Sequence, residues 1–502
     1  MGVIAKQSIK GTVVTYLGVF VGFLTTFFVL TRFLTAEEIG LARVLIDTAT
    51  LFIGLAQLGA TSSIIRFFPY FKNEKEHNGF FFFALIFPLL GFLIFALLYV
   101  LLHHTLQNVF IEKSPLFIDY YYFVLPLSFF MLYQTVFETC SNVQMRIVFP
   151  RSVRELWSRV MLLVVYLLYA FHIISLDGFV IALCVSYAIA ALLNMIYFVS
   201  DKNFSWKSLV PNFTFLRNNP VIIRRYLLYT GFLVLSAVAS VLAPSISSFF
   251  LTAQKGLDFT GIFAIATYIA VMVSIPYRSM TAIASPQLAA AIKEHDQRQI
   301  KQLTTQVSAN LFLVGTLILC AIWINIDLIF YVLPNGEIYS VARYAVLLLA
   351  LSQLLLATFN ISLNTLNYSR HYYWSLVLSF ILTMLAIFFN KLFIPLLGIN
   401  GAALANLLSY LIYFVLVLIV VYFSSHTTPL SVSHLKTLTV GSAVLAINEL
   451  WLHYMPMDNI WLSSVVRTFF LIGSACFFAY YWRISTEINA LLRSRIKYLP
   501  KR

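Results

Sequence analysis

FLTAEEIGLARVLID, residues 33–47, leads into an apolar segment that runs on as TATLFIGLAQLGA. The segment is long enough to cross a bilayer, so Arg43 and Asp47, four residues apart, fall inside a membrane span. The first four residues recur as FLTA at 250–253, again ahead of a glycine-led apolar segment. An acid and a base inside a span, approached by a repeated tetrapeptide, describe a membrane protein built from two similar halves.

Composition agrees. Hydrophobic residues make up 61% of the chain, charged residues 10%, and the mean hydropathy is +0.89. Soluble domains carry roughly a quarter charged residues, and so sparse a set could not cover a folded surface in water. The expected fold class is an all-α polytopic membrane protein. Fourteen spans are read, near 11–33, 38–65, 79–102, 119–145, 156–176, 178–200, 226–252, 260–283, 303–331, 339–366, 371–395, 399–424, 437–457 and 460–482.

With the N-terminus in the cytoplasm, the outer side holds only Arg32, Lys113, Lys255, Arg343 and Lys391. Arg43 and Arg467 lie within spans, and every other Lys and Arg falls inside. That bias places both termini in the cytoplasm. The net charge of +14 is therefore topological, with a role in holding anionic headgroups, and no nucleic-acid partner is expected. No cleavable leader is expected at MGVIAKQSIKG, and Lys6 at the sixth position excludes a myristoylation signal. Cys140, Cys184, Cys320 and Cys476 sit in apolar segments at scattered spacing, which gives neither a disulfide framework nor a metal site.

The repeat extends beyond FLTA. Gly40 opens the second span and Gly261 the eighth; LS at 127–128 and LS at 351–352 begin stretches ending at Arg146 and Arg370. DGFVIALCVSY, 177–187, matches NGAALANLLSY, 400–410. Spans 1–6 are thereby paired with 7–12, and an even number per half makes the two halves parallel. The expected organisation is an N-lobe over 1–200, a cytoplasmic interfacial linker over 201–225 and a C-lobe over 226–425. Spans 13–14 occupy 426–482, and a basic cytoplasmic tail fills 483–502. No P-loop, Ser-His-Asp set or metal cluster is legible, and no long outward loop suits a polymerase or ligase, so an enzyme is not expected.

The 6+6+2 pattern, FLTAEEIG between the first two spans, SSIIRFFPYF closing the second and NGAALA opening the twelfth resemble the multidrug/oligosaccharidyl-lipid/polysaccharide exporter superfamily. Within it the chain is most similar to the bacterial polysaccharide transporters of the O-antigen flippase type. The resemblance implies two lobes around a cavity, alternating access, and a lateral portal near spans 1 and 8. It implies a polyprenyl-pyrophosphate-linked oligosaccharide as cargo, a bacterial inner-membrane location, and a polysaccharide polymerase or glycosyltransferases as neighbours. No cofactor is expected, and Na⁺ or H⁺ coupling is open.

A pyrophosphate headgroup calls for cations in the path, and arginine suits it because the guanidinium forks onto paired oxygens. Arg43 and Asp47 share one helical face about one turn apart and can pair. Arg278 near the inner end of span 8 and Arg66 closing span 2 are headgroup candidates; ordinary inner-side placement explains Arg278 equally well and is the favoured reading of Arg66. Lys10 would greet an anionic lipid or simply anchor span 1. Glu138, in VFETCSN of span 4, is a deeper acid with no base near it in sequence; with Asp47 it is a candidate ion-coupling group. Gln353, Asn360, Asn364 and Asn367 lie on one face of span 10, to line a cavity for sugar hydroxyls or to bond neighbouring helices. Glu449 and Arg467, at similar depth on spans 13 and 14, are expected to form a structural ion pair, and Asp327 and Arg343 another. A cation-coupled drug antiporter of the same fold is the rival function, with Asp47 or Glu138 as its acid.

Overall fold

The structure is a computed structural model that describes residues 14, 17–67, 80–144, 146, 148–200, 245–454 and 459–481. Among these residues every regular element is a helix. Among the described residues nine helices are long and apolar enough to cross a membrane, and Leu17–Phe33 and Ile460–Leu471 are shorter apolar helices.

Helix α1 (Leu17–Phe33) widens to π geometry at Thr25–Leu30 and stops at Leu34, whose backbone is extended. Thr35 then starts α2 (Ala36–Ala56) with a capping box: its hydroxyl accepts from the Glu38 amide at 3.2 Å, and Glu38 Oε2 accepts from the Thr35 amide at 2.8 Å. FLTAEEIG is thus a helix start written in sequence. The second expected span does not run straight through. Leu58 and Gly59 take φ of 46° and 66°, which ends α2 and begins α3 (Ala60–Phe67). Gly91 seats this break: a Cβ there would lie 2.1 Å from the Ala56 carbonyl oxygen.

The first half continues with α4 (Phe80–Leu101), α5 (His103–Phe110), α6 (Pro115–Asp119), α7 (Val124–Val143), α8 (148–170, π over Val153–Trp157), α9 (Leu176–Val199) and α10 (245–255). Helix α11 (Leu257–Val271) follows Gly256, whose φ of 108° only glycine takes without strain. A 3-10 turn at Met272–Ser274 joins it to α12 (Ile275–Lys293), because Pro276 in the first turn of α12 offers no amide to the carbonyls before it. The helix at the eighth expected span runs on to Lys293, beyond the expected end at 283. Then come α13 (Gln297–Ile324), α14 (Ile326–Val332), α15 (Gly336–Ser340), α16 (Arg343–Tyr368), α17 (Tyr373–Leu397), α18 (Ile399–Ser425), α19 (Val432–Tyr454) and α20 (Ile460–Tyr481).

The chain divides into two compact units, Met1–Ala264 and Ile265–Arg502. In the first, α7 is central and packs against α2, α4 and α9; in the second, α16 packs against α12, α13 and α18. Span 4 thus meets spans 2, 3 and 6, and span 10 meets spans 8, 9 and 12: the same partners, six spans on. The most apolar helix is the least covered. Helix α4 has mean hydropathy 2.8 with 22% of its apolar window buried, against 1.7 and 61% for α2. Lipid supplies the apolar surroundings, so packing between helices falls to segments with small and polar side chains.

Candidate functional site

Arg43 and Asp47 meet as their spacing allows. Arg43 Nε donates to Asp47 Oδ2 at 2.7 Å, and the side chains are 22% and 11% exposed. Helix α2 carries the pair against α7 and α4, with its direction fixed by the capping box about two turns before Arg43. A second acid is anchored in the first turn of the same helix: Glu38 Oε1 accepts the Tyr169 hydroxyl from α8.

Glu138 is not without a base. It is 5% exposed on α7, and Arg154 Nη1 donates to its Oε1 at 2.7 Å. The sequence hides this partner because it lies sixteen residues ahead on another helix. Arg154 Nε also reaches Glu155 Oε1 at 3.3 Å, Arg159 Nη2 lies 3.7 Å from Glu155 Oε2, and Arg159 Nη1 donates to the Gly18 carbonyl at 2.9 Å. A chain of charges therefore joins α7, α8 and α1. Two glycines make the approach of α1 possible: a Cβ at Gly18 would lie 2.0 Å from the Glu155 carbonyl oxygen, and one at Gly22 would lie 2.9 Å from Arg159 Nη1. Nearby, the Arg146 guanidinium lies 3.9 Å from the centre of the Tyr197 ring. Sequence reading took this arginine-rich stretch only as an inner-side marker.

The amide stripe is partly spent on packing. Asn360 and Asn364 are half-buried and hydrogen-bond with Tyr277 of α12. Gln353 is half-buried and Asn367 exposed. Arg278 is exposed on α12. The side chain of Arg66, the side chain of Glu449 and the whole of Lys10 lie outside the described residues. Arg467 is 5% exposed, and its Nε donates to the Ser463 carbonyl at 3.2 Å. Arg343 Nη1 pairs with Asp327 Oδ1 at 2.9 Å, and its guanidinium stands 5.4 Å from the Trp323 ring centre. Among the described residues no three His, Cys, Asp or Glu gather as a metal site, and Cys140, Cys184 and Cys320 are buried free thiols.

The two repeat glycines meet each other. A Cβ on Gly40 would lie 2.0 Å from the Leu257 carbonyl oxygen, and one on Gly261 would lie 1.9 Å from that of Ala36. Each glycine faces the carbonyl four residues before the other, a reciprocal contact of the kind a two-fold axis generates. Sequence reading found the pair as landmarks and missed that they touch.

The family model described as polysaccharide biosynthesis protein matches residues 4–290. No curated protein matches the chain. Among solved structures, the lipid II flippase MurJ in an inward closed conformation superposes with a TM-score of 0.69 at 14% identity, over 95% of this chain and 98% of its own. An inward-facing multidrug resistance transporter of the MATE family, from the MOP superfamily, gives 0.62 at 15% identity, over 82% and 95%. The Vibrio cholerae MATE transporter VcmN in the bent form gives 0.54 at 14%, over 84% and 98%. At these identities the likeness is one of fold.

Proposed function

The chain belongs to the polysaccharide biosynthesis protein family and has the fold of the multidrug/oligosaccharidyl-lipid/polysaccharide exporter superfamily, and from that premise we propose that it is a flippase for a polyprenyl-pyrophosphate-linked oligosaccharide. In this reading it moves the cargo from the cytoplasmic to the outer leaflet by alternating access, for O-antigen, capsule or exopolysaccharide. Its work is transport rather than catalysis, in the bacterial inner membrane, with both termini cytoplasmic and six-span lobes over 1–200 and 226–425. A polysaccharide polymerase or glycosyltransferases would stand before and after it. Arg43, Arg66, Arg278, Asn360 and Asn364 are the residues proposed to meet headgroup and sugar.

The observation that carries this reading is coverage. The flippase fold spans 95% of the chain, whereas the two MATE transporters reach 82% and 84%. The rival reading, a cation-coupled antiporter, needs a carboxylate free to bind its ion. Asp47 and Glu138, its candidates, each hold an arginine at 2.7 Å. The deciding experiment is mass spectrometry of polyprenyl-pyrophosphate-linked sugars in cells lacking the protein. A completed oligosaccharide should accumulate while surface polysaccharide disappears. Unchanged lipid-linked and surface pools would reject the flippase and put the antiporter first.

A further inference from the structure

Between Arg146 and Arg159 the chain places Arg146, Arg151, Arg154 and Arg159 with one acid, Glu155, and α7 adds Glu138. Two of the arginines are committed: Arg159 to the Gly18 carbonyl and Arg146 to the Tyr197 ring. The other two face Glu138, Arg154 through an ion pair and Arg151 through its charge. Their capacity is not used up. Arg154 is 49% exposed although its partner carboxylate is 6% exposed. Arg151 Nε is buried without a hydrogen-bond partner, and so is Glu138 Oε2. A buried donor and a buried acceptor left open in one cluster are costly unless another state of the site uses them.

We propose that this cluster is a binding site for a phosphate-class headgroup, in which the anion and the ionised Glu138 compete for Arg154 and Arg151. With Glu138 ionised, its carboxylate occupies the guanidiniums. With Glu138 protonated by a proton taken from water, both guanidiniums turn their paired N–H groups to phosphate oxygens, the geometry arginine is built for. Binding the anion and binding the proton then favour each other, and by linkage each raises affinity for the other by the same factor. The inference rests on the cargo being a pyrophosphate-linked lipid; it names where the headgroup is first taken on the inner side and what exchanges a proton for it.

The charged groups around Glu138 are consistent with such a switch. From α8 it meets Arg154, Glu155 and Arg151. Helix α2 brings Arg43 and Asp47, which are paired to each other, and α3 brings Arg66, whose side chain lies outside the described residues. Helix α4 carries no charged residue, and α9 meets α7 through Asn194, which donates to the Gln134 carbonyl at 3.2 Å.

The test uses the full chain in nanodiscs of zwitterionic lipid, with sugar-free polyprenyl pyrophosphate and inorganic pyrophosphate as probes at pH 6 and pH 8. Wild type should bind both more tightly at pH 6, by up to about tenfold per pH unit for one linked proton. The probe's own titration works the other way, since it gains negative charge as pH rises. Glu138→Gln should bind tightly at both pH values. Arg154→Gln and the Glu138→Gln/Arg154→Gln double variant should bind weakly at both; the double removes the Glu138 charge together with its partner's, so weak binding by it cannot be laid to an unpaired Glu138 carboxylate. A pH gain that survives in Glu138→Gln, or equal binding by all variants, overturns the proposal. Binding of inorganic pyrophosphate without the polyprenyl probe overturns the lipid as source. The same variants are scored for surface polysaccharide in cells. Wild-type rescue with indifferent variants sinks this site and leaves the flippase standing, whereas pH-linked binding without any effect on polysaccharide does the reverse.

Discussion

At the scale of single residues, the decisive feature is where carboxylates find their cations. Asp47 sits 8% exposed with Arg43 Nε at 2.7 Å. Removing one partner of a buried pair costs far more than the pair contributes, because the other charge stays behind. Arg43→Ala should therefore lower stability by about 3 kcal/mol, read as the melting temperature in detergent, and should reduce export. Asp47→Asn keeps the shape and should melt closer to wild type, and the double variant should recover part of the loss. If both singles export normally, the pair has no part in transport. Asp327 and Arg343 make the contrast: at 44% and 36% exposed they form a surface pair, and Asp327→Ala should change stability by less than about 1 kcal/mol. Arg43 with Asp47 was legible from spacing because a helix puts residues four apart on one face. Glu138 with Arg154 was not, because nothing in a linear spacing says which helix returns beside which.

At the scale of elements, caps and glycines decide how closely helices start and cross. Thr35→Ala removes the side-chain acceptor of the Glu38 amide and should cost about 1 kcal/mol. The loss should grow if Tyr169→Phe is added, since the same Glu38 holds that hydroxyl. Gly40→Ala and Gly261→Ala press a methyl group to 2.0 Å and 1.9 Å of a backbone oxygen, which no rotamer change can relieve. Either should separate α2 from α11 and abolish transport, whereas Gly473→Ala, with nothing within 4 Å, should export and melt like wild type. Normal export by Gly40→Ala would show that the crossing is dispensable. The sequence marked Gly40 and Gly261 as repeat landmarks, and the capping box was present in the letters of TAEE. The break at Leu58–Gly59 and the π turns at Thr25–Leu30 and Val153–Trp157 were not legible, because hydropathy continues unbroken through them.

At the scale of the whole molecule, the charge bias makes a topology that can be read chemically. In a chain with Cys140, Cys184 and Cys320 buried, and with Cys476→Ser as background, Glu112→Cys should react with an impermeant maleimide in intact cells. Arg298→Cys, also exposed, should react only after permeabilisation. The opposite pattern would invert the proposed orientation and with it the direction of transport. The expected lobes run to 200 and from 226, yet the compact units meet at Ala264, because residues 245–264 pack with the first unit. Ser114 Oγ donates to the Thr252 carbonyl at 2.8 Å, and Phe110 stacks edge-on against Phe249 at 5.0 Å. The expected lobes come from a repeat in the letters, whereas compactness follows contact.

The sequence alone determined that this is an all-α membrane protein, the positions of most of its long apolar helices, and the helix-bound pair Arg43–Asp47. These depend on quantities that each residue or one helical turn carries by itself: transfer free energy, charge, and the 3.6-residue period. Only the tertiary structure decided that Glu138 belongs to Arg154, that Asn360 and Asn364 serve Tyr277, and that Gly40 lies on Gly261. Such partners come from different helices. Lipid satisfies almost any apolar face, so hydropathy cannot say which faces meet, and the choice falls to a few small and polar side chains whose fit exists only once the helices are packed.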